Sequence, residues 1–332
     1  MSDVALEHRG DARVKARAKF ADPDMTANGQ PRARVALEAL ETLWFNTGTL
    51  CNIECANCYI ASSPVNDRLV YMTAGEVGVF LDEISALGLA TREIGFTGGE
   101  PFMNQDMPDM AGDALARGFN VLILTNAMAP MQRRRVKAGL LELVRDHREK
   151  LTLRVSLDHY SQELHEKERG AGTWARTLEG LDWLSANGFQ IAIAGRTCWG
   201  EDEGKARDGY AALIAKHGWR VDARDPMALA LFPEMDEAAD VPEISAACWG
   251  ILGVTPSDIM CATSRMVVKR KGDARPTVLP CTLLPYDGAF DMGASLSAAA
   301  KTEGHMFAGG AVKLCHPHCA KFCVLGGGSC SG

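Results

Sequence analysis

The sequence predicts an α/β protein: a partial (β/α)6 TIM-like barrel followed by a small C-terminal cysteine-rich α+β extension. Three observations carry that expectation. Short apolar strand-like runs alternate with helical stretches, chemically distinctive residues stand where the strands end, and the cysteines fall into two separated groups.

The run LWFNTG, from Leu43, enters a cysteine-containing loop. Thr73 then stands as the cap of the helical stretch TAGEVGVFLDEISALG, which stops at a glycine. REIGFTGG, NVLILTN, LTLRVSLD and FQIAIAG read as further strands, and PMQRRRVKAGLLELVRDH and TWARTLEGLDWLSANG as the helices between them. Such alternation implies parallel strands joined by right-handed crossovers. Residues 1–36 are polar and broken by Asp22, Pro23, Asn28, Gly29 and Pro31, so they read as an extension rather than a domain. The barrel is expected over 37–240 and the cysteine-rich region over 241–332, after the acidic, proline-punctuated stretch FPEMDEAADVPEIS.

The 332 residues are 47% apolar and 23% charged, with a formal net charge of −7 and both signs interspersed. That balance offers no electrostatic footprint for nucleic acid or an anionic membrane. The N-terminal MSDVALEHRGDARVKARAKF carries charges where a signal peptide is apolar, and no run is long enough to span a bilayer, so a cytoplasmic location is expected. In a reducing compartment the 11 cysteines read as metal ligands or buried thiols rather than disulfides.

Cysteines stand at 51, 55 and 58, singly at 198 and 248, and at 261, 281, 315, 319, 323 and 330. The first three have no nearby fourth cysteine or histidine to complete a zinc tetrahedron. Three thiolates on an iron-sulfur cluster leave one iron open to a small molecule; the bland alternative is a set of buried thiols. TGTLCNIECANCYIASSP, a CxxxCxxC followed by Tyr59, resembles the signature of the radical S-adenosylmethionine (SAM) superfamily. In that family the position before the third cysteine is often aromatic, and here it is Asn57.

Several strand ends extend the resemblance. Thr97, Gly98, Gly99, Glu100 and Pro101 form a GGEP turn about forty residues after the cysteines, and VSLDHYSQELHEKERG follows LTNA. Taken alone, GGEP could be a plain tight turn whose paired glycines let the backbone approach a ligand. The resemblance implies a cofactor-binding set of Tyr59, Gly98, Gly99, Glu100, Pro101, Asn126, Ser156, Asp158 and Arg196. Asn126 and Ser156 become candidates for ribose and carboxylate contacts, with turn chemistry as their alternative. Asp158 can equally cap the next helix. Arg196 suits either a carboxylate or a surface ion pair, and His165 and Arg169 are read as organising the loop. No catalytic acid, base or hydrogen donor is singled out.

In the C-terminal region, DIMCATSRMVVKRKGDARPTVLPCTLL reads as a hairpin flanked by Cys261 and Cys281, and LCHPHCAKFCVLGGGSCSG adds Cys315, Cys319, Cys323 and Cys330. So many thiols suit a 4Fe–4S cluster, with structural zinc as the alternative. The region resembles the SPASM or shorter twitch extension of radical SAM enzymes. That resemblance implies at least one auxiliary 4Fe–4S cluster on Cys261, Cys281 and two of the last four, Cys323 and Cys330 being favoured. The remaining thiols are left for a second cluster with Cys248.

The function implied is reductive cleavage of SAM to a 5′-deoxyadenosyl radical that takes a hydrogen from a substrate, with an electron donor such as flavodoxin or ferredoxin. The substrate is expected to be a peptide or peptide-like precursor, with a small metabolite or cofactor precursor as the alternative. A rival from another class is an iron-sulfur protein that only transfers electrons or senses redox state.

Overall fold

The computed structural model describes residues 18–233 and 240–326. A short strand, β1 (Arg34–Val35), precedes β2 (Thr42–Asn46), whose five side chains are all buried. The cysteine loop leads to α1 (Ala74–Leu87), capped by Thr73 as the sequence predicts. The Thr73 side chain accepts the Glu76 N–H, the Glu76 carboxylate accepts the Thr73 N–H, and Gly88 closes the helix at φ 61°. Then come β3 (Glu93–Thr97), α2 (Met107–Ala116) and β4 (Asn120–Thr125).

The arginine-rich stretch expected as one helix is two, α3 (Ala129–Gln132) and α4 (Arg134–His147). They part at Arg133, whose ψ of 138° leaves the helical region. Next are β5 (Leu151–Ser156), α5 (Gln162–Arg169), α6 (Thr173–Ala186) and β6 (Gln190–Arg196). Beyond Cys198 one more unit, α7 (Glu203–His217) and β7 (Leu229–Phe232), supplies a strand that the sequence reading did not locate. The C-terminal part holds α8 (Cys248–Leu252), β8 (Ser264–Val268), β9 (Thr277–Leu279), β10 (Phe307–Ala308) and β11 (Ala311–Lys313).

Among the described residues the main sheet runs β7-β6-β5-β4-β3-β2-β8-β9, parallel throughout except for the last pair. This is the mostly parallel α/β sheet expected of a partial barrel. Its strands are apolar on both faces because helices cover the outside and side chains fill the inside. Phe45 and Phe96, on adjacent strands, stack at 5.7 Å, and Trp44 is fully buried beside them. The predicted hairpin is β8 and β9, and its first strand pairs with β2, so it continues the barrel sheet directly. No helix among the described residues is long and apolar enough to cross a membrane.

Residues 18–35 are tied to the C-terminal part. β1 pairs with β11, and the guanidinium of Arg32 donates to the carbonyls of Asp22, Met25 and Leu314. It also pairs with Glu243 at 2.6 Å, both side chains buried, while the Glu243 carboxylate accepts the N–H groups of Phe20 and Ala27. Breaking such a buried pair strands the surviving charge, at about 3–5 kcal/mol. Glu243→Ala is therefore expected to lower the melting temperature and open residues 18–31 to limited proteolysis; an uncut segment in that variant would show that other contacts hold it.

Candidate active site

A cleft of about 1060 Å³, its open mouth included, lies at the carboxyl ends of the parallel strands. It is lined by Gly98 and Gly99 after β3, Asn126 after β4, Ser156 and Asp158 at the end of β5, Arg196 ending β6 and Phe232 ending β7. Cys51, Cys55, Cys58 and Tyr59 of the loop after β2 join them, with Leu283 and Phe322 from the C-terminal part. Burial pushes the Cys51 thiol up to about 12 and raises Cys55 as well, so these thiols keep their protons until a metal displaces them. The Ser62 N–H points to the Cys58 sulfur at 3.3 Å.

The cysteine loop has little secondary structure, and a buried charge cluster holds it to the strand ends. Glu168, near the end of α5, accepts the Asn57 N–H at 2.8 Å and the Asn57 side-chain amide at 2.7 Å, while its own carbonyl accepts the Ala56 N–H at 2.8 Å. Asn57 thus serves the loop's attachment. Arg196 donates to the Asn57 carbonyl at 3.1 Å, and its Nε lies 3.2 Å from Asp158 and 3.8 Å from Glu168. Arg169 pairs with the opposite oxygen of Asp158 at 2.5 Å. Burial raises the Asp158 pKa, but the two guanidiniums outweigh it and hold the carboxyl below its usual range. His165, edge-on to Trp174 at 5.5 Å, is pushed down to about 4 by burial and by Arg169, so it packs as a neutral ring. Glu168, which an ordinary helix composition gave no reason to single out, makes the direct contacts to the loop, while Arg169 pairs with Asp158 and His165 packs against Trp174.

The GGEP turn is pressed against the chain entering the cysteine loop. The Gly99 N–H donates to the Gly48 carbonyl at 2.8 Å and the Glu100 N–H to that of Leu50 at 3.2 Å. A Cβ on Gly99 would meet the Leu50 oxygen at 2.2 Å, and one on Gly98, at φ 146°, the Gly48 oxygen at 2.5 Å. The sequence reading assigned this close approach to a ligand; the structure adds the loop backbone as the first obstacle a side chain would meet.

Glu100 and Pro101 lie behind the cleft lining. Pro101 begins a short helical turn, Pro101–Met103, and the buried Glu100 carboxylate accepts the Thr125 hydroxyl and the Asn126 N–H at 2.8 Å and the Phe102 N–H at 3.2 Å. It joins the end of β3 to the end of β4. Burial pushes its pKa up to about 7 against the pull of these donors. Asn126 makes the turn contact anticipated as the alternative to a ligand contact, and a bond to the cysteine loop as well. Its oxygen accepts the Met128 N–H at 3.0 Å in turn chemistry, and its amide donates to Asn52 of the cysteine loop at 2.9 Å.

In the C-terminal part, Cys261, Cys281 and Cys319 are buried, and burial followed by the neighbouring Cys281 and Cys261 thiols raises Cys319 well above its ordinary value. Burial pushes Cys261 up to about 11 against the pull of Arg265. Cys315 directs its sulfur to the Phe20 carbonyl at 3.1 Å. The Cys248 sulfur accepts the Ser245 N–H at 3.4 Å. The sequence favours Cys323 and Cys330 as partners of the hairpin pair; the structure sets Cys319 beside it, leaves Cys323 partly exposed, and Cys330 lies outside the described residues. Among the described residues no three His, Cys, Asp or Glu side chains converge on a single ion.

Residues 45–198 match the family model described as the radical SAM superfamily. That match covers just under half of the chain. It is 29% identical over 145 residues to the antilisterial bacteriocin subtilosin biosynthesis protein AlbA of Bacillus subtilis, covering 43% of this chain and 30% of that protein. It is 27% identical over 153 residues to an Fe-coproporphyrin III synthase of Methanosarcina barkeri, covering 45% of this chain and 35% of that protein. The matched part is thus about a third of these relatives' length. SuiB of Streptococcus suis, in its crystal structure with S-adenosylmethionine, shares the fold at a TM-score of 0.56 and 13% identity, over 77% of this chain and 64% of that one.

The superfamily uses a 4Fe–4S cluster and SAM, and the cleft fits both. Three thiols line it, the number of protein ligands that leaves one iron of a cluster open. Arg196, which also lines it, keeps a buried Nη1 with no hydrogen-bond partner, a donor that a ligand carboxylate would satisfy.

Two outcomes follow from the geometry of this cleft. Hydrogen bonds to a charged group contribute about 1.5–3 kcal/mol each, so Glu168→Ala, which removes two to Asn57, should speed loss to a chelator of any iron reconstituted on the cysteine loop more than tenfold. Chelation at the wild-type rate would remove Glu168 from the loop's support. For Glu100, both folded and unfolded chains are protonated below its ordinary value of 4.5, and between there and about 7 the unfolded chain ionises first. Stability from this group therefore falls as pH rises through that window. Melting curves of the apoprotein should show Glu100→Gln losing this part of the pH dependence; an unchanged slope would assign it to other groups.

Proposed function

We propose that the chain is a radical SAM enzyme whose first cluster is held by Cys51, Cys55 and Cys58, and that its substrate is a peptide or peptide-like precursor. The observation that carries the first part is one cleft bringing the three thiols together with the Gly98–Gly99 turn, Asn126, Ser156 and Arg196. When bound, the cluster and SAM supply a one-electron cleavage that yields a 5′-deoxyadenosyl radical able to take a hydrogen from the substrate. The chain's own residues bind and orient. Arg196 offers its unused N–H to the methionyl carboxylate, and the Gly98–Gly99 backbone accepts from the amino group. Ser156 and Asn126 reach the ribose hydroxyls, while Leu124, Phe232, Leu283 and Phe322 keep water from the reacting atoms. The electron comes from a small carrier such as flavodoxin or ferredoxin. Cys261, Cys281 and Cys319, with one further ligand, hold an auxiliary 4Fe–4S cluster.

The peptide reading is supported by the name of the Bacillus relative, a bacteriocin biosynthesis protein, and by the crystal structure of SuiB with its precursor peptide SuiA. A cofactor precursor is the second reading, favoured by the Methanosarcina relative, a synthase of a porphyrin product.

Anaerobically reconstituted protein given dithionite and SAM is expected to release methionine and 5′-deoxyadenosine. Replacing Cys51, Cys55 or Cys58 by Ala should abolish that release and leave the C-terminal iron in place. Cleavage at the wild-type rate by any of these variants would overturn the assignment. Mass spectrometry after incubation with precursor-peptide pools and with porphyrin precursors separates the two substrate readings.

A further inference from the structure

We propose that Arg265 is the built-in counter-cation of the C-terminal cysteine site and sets the charge that this site stabilises, an inference that rests on reading those cysteines as a cluster site. Arg265 lies on β8, directly after the turn that carries Cys261, and is only 2% exposed. Its Nη1 donates to the Cys261 carbonyl at 2.6 Å and the Ser264 carbonyl at 2.7 Å. It forms no ion pair with a carboxylate among the described residues, and the ionisable side chains that face it are the Cys261 and Cys281 thiols.

The other arginines of low exposure face carboxylates: Arg32 is matched by Glu243, Arg169 and Arg196 by Asp158, and Arg154 lies near Glu93. A buried guanidinium without a partner anion costs stability, because the interior cannot replace its lost hydration. Arg265 therefore calls for an anion at the place where Cys261 and Cys281 meet. Thiolates bound to an iron-sulfur core supply that negative charge, whereas protonated thiols do not. A fixed cation beside such a core favours its more negative, reduced form and raises its reduction potential.

The test uses full-length protein reconstituted anaerobically in a Cys51→Ala, Cys55→Ala, Cys58→Ala background, so that only C-terminal iron contributes. Potentials are read by electron paramagnetic resonance during a dithionite titration, beside iron counts. Arg265→Gln, which keeps a donor and loses the charge, should lower the midpoint potential, and Arg265→Lys should stay near the parent. Loss of C-terminal iron in the Gln variant with retention in the Lys variant would equally support a charge role. An unchanged potential in Arg265→Gln at full iron content would overturn the proposal, as would equal iron loss in both variants, which would make Arg265 a brace for two carbonyls. Absence of C-terminal iron from the parent itself would instead overturn the cluster reading beneath it.

Discussion

The site depends on the buried contact between the cysteine loop and the strand ends. A parallel barrel fixes the ends of its strands by hydrogen-bonded ladders, but a loop with three cysteines has no ladder of its own. Glu168 supplies the missing frame by accepting two donors of Asn57 and offering its carbonyl to Ala56. Asp158, Arg169 and Arg196 then balance one another's charge, so that the carboxylates can be buried at all. Without that frame the thiols and the residues after β3, β4 and β5 would belong to separately moving parts, and a site needs its groups held within fractions of an ångström.

Much of this was legible from periodicity and local chemistry. The Thr73 cap, the strand at REIGF, the hairpin between Cys261 and Cys281 and the meeting of the triad with the GGEP turn each depend on residues close in sequence or on a strong motif. Other features depend on partners far away. Glu168 sits in a charged helix where any of several acidic residues could have faced the loop, and only the packing of α5 selects it. The strand β7 is four residues long beside an acidic stretch, too short for an alternation to stand out. Cys319 and Cys323 lie four apart on one π-helical turn, so spacing alone could not say which thiol turns towards Cys261 and Cys281.

The two cysteine sites belong to one framework. β2 leads into Cys51, and β8, which begins three residues after Cys261, is its hydrogen-bonded neighbour. Tyr286 adds a further tie, donating its hydroxyl to the Ile60 carbonyl just beyond the triad at 2.6 Å, with Arg68 stacked over its ring. The C-terminal part also completes the cleft through Leu283 and Phe322. It is a wall of the cleft as well as the carrier of the second group of cysteines.

The pairing of β2 with β8 has a consequence for how the chain is made. More than two hundred residues separate these strands, so during synthesis β2 emerges early and its outer edge stays open while the rest of the barrel is translated. An unpaired apolar edge invites pairing with another nascent chain. The interval between translating Asn46 and translating Val268 is therefore when this edge is most exposed to aggregation, and slow translation between those residues would prolong it.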